Sequence, residues 1–94
     1  MNTATVIFAP SVDEAILNLI DYIDPSDIPV VLNFIEKLQK RLVNTLSTAP
    51  LGGTKFQGNI RFFAIDGYVF LYEYIETANE VHVVDMMGPG QDWR

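Results

Sequence analysis

Residues 58–76, GNIRFFAIDGYVFLYEYIE, decide the fold of this chain. Asp66-Gly67 stands near the middle of the stretch. A two-residue type I′ turn needs positive φ at both central positions, which Asp tolerates and Gly adopts freely. Strands are therefore predicted over 60–66 and 68–75, joined as a hairpin. A looser turn, ETANE, leads to a further strand at about 80–87. Together the three make an antiparallel meander.

The side-chain alternation of this hairpin is unusual. A half-exposed antiparallel strand alternates apolar with polar residues. Here one parity of the first strand holds Arg61, Phe63 and Ile65, and the other holds Ile60, Phe62, Ala64 and Asp66. The second strand divides into Tyr68, Phe70, Tyr72, Tyr74 and Val69, Leu71, Glu73, Ile75. Neither face is polar, and helices can cover only one. Either loops and the C-terminal tail cover the other, or a partner does, because monomers rarely expose large apolar patches.

Upstream, TATVIFA at 3–9 is rich in β-branched residues and reads as a strand that Pro10 closes. Ser11 and Glu14 stand three apart, the spacing of a capping box. Val12, Ile16, Leu19, Ile20 and Ile23 then recur at helical spacing, for a helix of about 13 residues. DPSD breaks it, and a second helix starts near Ser26 or Asp27 with Pro29 in its first turn. Its apolar stripe is Val31, Phe34, Ile35, Leu38, Leu42 and Leu46, with Lys37, Lys40 and Arg41 on the other side. STAPLGG ends it, and GGTKFQGN reads as a polar loop. The predicted class is α+β: two layers in the order β-α-α-β-β-β, a helical hairpin packed on a mainly antiparallel four-stranded sheet.

Composition bounds the rest. The 94 residues are expected to form one domain. With 49% hydrophobic and 19% charged residues, the chain is too apolar for a disordered protein. There is no cysteine, hence no disulfide and no thiolate chemistry. The start, MNTATVIFAPSVDE, lacks a basic segment and a long apolar run, so neither a signal peptide nor a membrane span is expected. A cytoplasmic location is the expectation. The net charge of −6 argues against a broad grip on a nucleic-acid backbone. No metal or cofactor is expected. Asp13, Glu14 and Asp21 lack ligand spacing with a histidine, and GGTKFQG lacks the GK[ST] ending of a phosphate-binding loop.

The order and spacing of DYI, APLGG, GNIRFF, GYVFLYEY, VHVVDMMG and DW resemble the RelE/ParE superfamily of toxins, over roughly residues 5 to 93. The resemblance is nearest to the ParE-like branch, described also as plasmid stabilisation proteins. It implies the toxin half of a bacterial toxin–antitoxin pair, with the β-α-α-β-β-β fold and a cognate antitoxin whose C-terminal segment wraps the toxin. With the apolar excess of the hairpin, a homodimer or a toxin–antitoxin hetero-oligomer is expected. ParE-like members are associated with blocking DNA gyrase, a protein target that needs a binding surface rather than a catalytic set. The resemblance equally admits an inactive toxin homologue that retains only antitoxin binding. The surface for target or antitoxin is read as Arg61, Phe62, Phe63, Tyr72 and Trp93.

RelE-like members instead cut messenger RNA. Cleavage without a metal needs a base for the 2′-hydroxyl, an acid for the leaving oxygen and cations for the developing phosphorane charge. Under that alternative the catalytic candidates are Arg61, Lys55 and His82, the only histidine. The superfamily places an arginine at the start of this strand, where Arg61 falls. Arg61 is thus either a functional guanidinium reaching for phosphate or carboxylate, or a sheet-edge cation paired with Asp85 or Asp92. His82 shares the nominal parity of Val84 and Met86 in its strand and has a packed structural role as its simpler reading.

Overall fold

The computed structural model describes residues 2–90. Strand β1, Thr5–Phe8, is followed at once by helix α1, Pro10–Ile20, and a 3-10 turn, Pro25–Asp27. Helix α2, Ile28–Thr48, precedes four strands: β2, Thr54–Gln57; β3, Ile60–Ile65; β4, Tyr68–Ile75; and β5, Glu80–Met87. The sheet order is β1, β5, β4, β3, β2. Only the β1–β5 pair is parallel. This is the predicted helical hairpin on a mainly antiparallel sheet, with five strands in place of four.

The added strand is β2, which the sequence presents as a polar loop. Its four residues are all exposed and it lies at the sheet edge. With no buried face it carries no alternation that could reveal it. Backbone pairing to β3 alone defines it.

Local chemistry sets the other boundaries. Pro10 sits in the first turn of α1, where its missing donor is harmless. Ala9 occupies the N-cap with no side-chain bond, so the capping box expected at Ser11 and Glu14 does not form. Ser11 instead donates its hydroxyl to the carbonyl of Val84 in β5. Tertiary contact therefore takes the hydroxyl that local capping would have used. Helix α1 spans 11 residues rather than 13, ending where Asp21 begins the connection. Before α2, the Asp24 carboxylate accepts from the amide and hydroxyl of Ser26, which holds its pKa below the ordinary range. Asp66 and Gly67 both take positive φ, 50° and 85°, as the hairpin requires.

The core lies between the helices and one sheet face. Ile35, Leu38, Leu42 and Leu46 of α2 and Val12 of α1 meet Phe70 and Tyr72 of β4 and Val81 and Val83 of β5. Phe63 pairs with Phe70 and Ile65 with Tyr68, so the parity of Arg61, Phe63 and Ile65 is the helix-facing one. Ile60, Phe62 and Ala64 share the opposite face with Val69 and Leu71.

A bulge in β5 overturns one parity. Leu71 pairs with Asp85 but Tyr72 with Val83, leaving Val84 without an opposite residue. Val81, Val83 and Met86 can therefore all be buried on the core side. His82, expected to share a face with Met86, pairs with Glu73 and lies on the outer face.

Phe70 is fully buried at the centre of this arrangement. Phe70→Ala should cost about 3–5 kcal/mol in urea unfolding, the range for deleting a buried aromatic. Leu17→Ala, on an exposed helix position, should cost less than about 1 kcal/mol.

Candidate functional site

At the end of the sheet near the β2–β3 turn, Lys55 stands opposite Arg61 in the β2–β3 ladder. The two line a cleft of about 230 Å³ together with Leu51, Gly58, Asn59 and Tyr74. Gly58 takes a φ of 56° to close the turn between β2 and β3.

Arg61 does not pair with an acid here. Its Nη1 donates to the carbonyls of Gly53 at 2.9 Å and Leu51 at 3.3 Å. Asp85, a proposed partner, lies on the other sheet face and accepts from the Met86 amide. Asp92 falls outside the described residues. Among the described residues the ion pairs are Lys40 with Glu36, Arg41 with Asp66, and His82 with Glu80. The charges of Lys55 and Arg61 thus meet no carboxylate among the described residues. Two adjacent cations beside a polar cleft can accept an anionic oxygen, whether carboxylate or phosphate.

A buried tyrosine anchors the chain beside the cleft. Tyr72 is 0% exposed, so its hydroxyl needs an internal partner. It accepts from the amide of Gly53 at 2.8 Å. A β-carbon at Gly53 would come within 2.6 Å of both that hydroxyl and the Phe62 carbonyl, so only glycine fits. Arg61 grips the carbonyl of the same Gly53. The two bonds together fasten the start of β2 to the sheet and set Lys55 beside Arg61.

The structure divides the sequence-predicted residues. Arg61 and Lys55 come together. His82 is on the opposite face, its Nε2 2.9 Å from Glu80, so the three candidates for RNA cleavage do not converge. Of the residues assigned to partner contact, Phe62 is half-buried on the outer face. Phe63 is half-buried with its packed side against the core, and Tyr72 is enclosed by the core. Their parity turns them toward the helices. Trp93 lies outside the described residues. Gly53 was not singled out from sequence. It falls in a stretch that reads as a polar loop, and its tyrosine partner is 19 residues away.

No protein-family model and no curated protein sequence matches the chain. Solved structures do. The toxin–antitoxin complex RelBE2 from Mycobacterium tuberculosis contains a chain that aligns with a TM-score of 0.65 at 17% identity, covering 97% of each chain. The isolated E. coli RelE toxin aligns with a TM-score of 0.59 at 14% identity, over 95% of this chain and 87% of that one. The intact E. coli RelBE toxin–antitoxin complex gives 0.56 at 15% identity, over 95% and 99%. The protein therefore has the RelE-like toxin fold, over nearly its whole length. No helix among the described residues is long and apolar enough to cross a membrane.

Burial pushes the Tyr72 phenol above its ordinary 10.0, against the opposing pull of the Gly53 amide and then the Arg61 charge. The unfolded chain gives up this proton first. The contribution to stability is whole below the ordinary tyrosine range and is lost as pH rises through it toward the folded value. Tyr72→Phe should flatten that alkaline loss in urea melts recorded at rising pH. At neutral pH it should cost about 1–3 kcal/mol, because the Gly53 amide is left buried without an acceptor.

Proposed function

We propose that this protein is the toxin-like member of a type II toxin–antitoxin pair. In this reading it acts by binding a protein target in the manner of ParE-like toxins, with DNA gyrase the first candidate, and a cognate antitoxin neutralises it. The observation that carries the binding mode is the division of its candidate catalytic groups. Lys55 and Arg61 line one cleft, while His82 is on the far side of the sheet. Among the described residues the cleft holds two cations but no histidine or carboxylate, a lining that favours binding an anionic group over proton transfer by the one histidine. Acidic side chains of an antitoxin or of the target are suitable occupants. Support for the pair itself comes from the fold, whose solved counterparts include two toxin–antitoxin complexes.

One observation favours a second reading, a RelE-like endoribonuclease. The same two cations would hold a phosphodiester as readily as a carboxylate. The readings separate in a direct assay. Expressed alone, the protein should arrest bacterial growth, and co-expression of an adjacent small gene should relieve the arrest and yield a co-purifying complex. Purified protein should leave messenger RNA intact, with or without ribosomes. Growth that is unaffected in both conditions would defeat the toxin reading. Cleavage that falls ~100-fold or more in Arg61→Ala would replace the protein-target reading with the nuclease.

A further inference from the structure

The sheet has two edges, and the sequence treats them differently. At the β2 edge every residue is exposed, Lys55 is among them, and the register slips between Lys55 and Gln57. A charged side chain and an irregular register are devices that keep a strand edge from pairing with another chain. The β1 edge has neither. Thr5–Phe8 reads TVIF, with no charge, no proline and no break in its register with β5.

The hydrogen bonds of β1 show which of its backbone groups are left over. The amides of Thr5 and Ala9 donate to the carbonyls of Asn79 and Val83, at 3.1 and 2.9 Å. Successive residues of a strand point their backbone groups to opposite sides, so Ala4, Val6 and Phe8 point away from β5. Ala4 is already engaged, its amide donating to the Ser47 carbonyl at the end of α2 at 2.8 Å. Among the described residues no backbone group meets Val6 or Phe8 on that side. Ile7, between them, is opposite His82 on the outer sheet face and is 41% exposed. On the core face, Phe8 borders an open cleft of about 380 Å³ whose other wall is α2, with Glu36, Lys40 and Val43.

We propose that two copies of this chain join β1 to β1 as an antiparallel pair about a twofold axis at Ile7, making one continuous sheet. The register follows from the free groups. Val6 of each copy lies opposite Phe8 of the other, and because both point outward they exchange amide and carbonyl. Ala4, held by Ser47, stays outside the pairing. The two Ile7 residues meet on the axis as a non-hydrogen-bonded pair, the close kind, with about 4.5 Å between Cα atoms. On the core face the second copy's Val6 comes beside Phe8 at the mouth of the cleft. Charge permits this contact. The strand has none, and Glu36 and Lys40 of the cleft wall pair with each other at 3.6 Å, although the chain as a whole carries −6. Preorganisation favours a second copy over an extended segment of another protein. With only Val6 and Phe8 available the edge offers few bonds, and a flexible segment loses conformational entropy at every residue it lays down. A second β1 is already ordered. The surface is at the opposite edge of the sheet from the strand that carries Lys55, and the proposal does not rest on the toxin reading.

The test uses the full chain, which has no cysteine of its own. Sedimentation equilibrium from low micromolar to about 1 mM, the range of a weak contact, should show a monomer–dimer equilibrium. Ile7→Lys sets two cations against each other on the axis and should weaken the dimer by about tenfold or more. Leu17→Lys, at an exposed position of α1, should change it by no more than about twofold. In hydrogen exchange the Val6 and Phe8 amides should be protected at high concentration and lose that protection on dilution. Ile7→Cys should oxidise to a covalent dimer, because the Cα separation on the axis suits a disulfide, whereas Leu17→Cys should stay mainly monomeric under the same oxidation. Thermal melts confirm that each variant is folded. A monomer throughout, including one whose Val6 and Phe8 amides are protected only by a co-expressed partner, would overturn the proposal. So would a dimer that Ile7→Lys leaves intact or Leu17→Lys weakens equally, a dimer without protection at Val6 and Phe8, or cross-linking of Ile7→Cys no greater than that of Leu17→Cys.

Discussion

Tyr72 cannot be buried without an acceptor or donor for its hydroxyl, and much of the fold follows from that constraint. The ring fills the space below α2 beside Phe70 and Val83. The hydroxyl ends against the chain that leaves α2, and there it accepts the Gly53 amide. That bond, with Arg61 on the Gly53 carbonyl, turns an otherwise unstructured exit into the start of an edge strand. The strand has no buried side chains of its own. It exists because its first residue is tied down from within the core.

Arg61 consequently has two kinds of work. Its Nη1 holds two carbonyls, and the same side chain lines the cleft with Lys55. A guanidinium suits this division because its donors are fixed in a plane, so some can be anchored while others stay available. A lysine could not hold two carbonyls and present a fork to a ligand. The residue that opens the hairpin is therefore both a structural tie and a candidate for recognition, and the two roles share one geometry.

The bulge at Val84 has a similar double effect. It turns successive apolar residues of β5 toward the core on either side, and it frees a backbone carbonyl for Ser11 at the start of α1. It also sends His82 to the opposite face from the cations. One extra residue in a strand thus separates groups that strict alternation would have left open to combination.

The sequence by itself determined the order of the helices and of every strand but β2, the hairpin at Asp66-Gly67, the buried positions of α2 and the position of Arg61 at a strand start. Each of these is written in local chemistry: a turn that needs positive φ, a 3.6-residue period, a proline that closes a strand. Tertiary structure decided the rest. Strand β2 has no buried face and so no period to read. The bulge shifts parity without any glycine or proline to mark it. Ser11 bonds to a strand carbonyl 73 residues away rather than to its own helix. The Gly53–Tyr72–Arg61 tie depends on a residue that fits only because of what lies opposite it. Spacing along a chain encodes contacts between neighbours within an element. Which unpaired polar group meets which across the fold is settled only when the layers close.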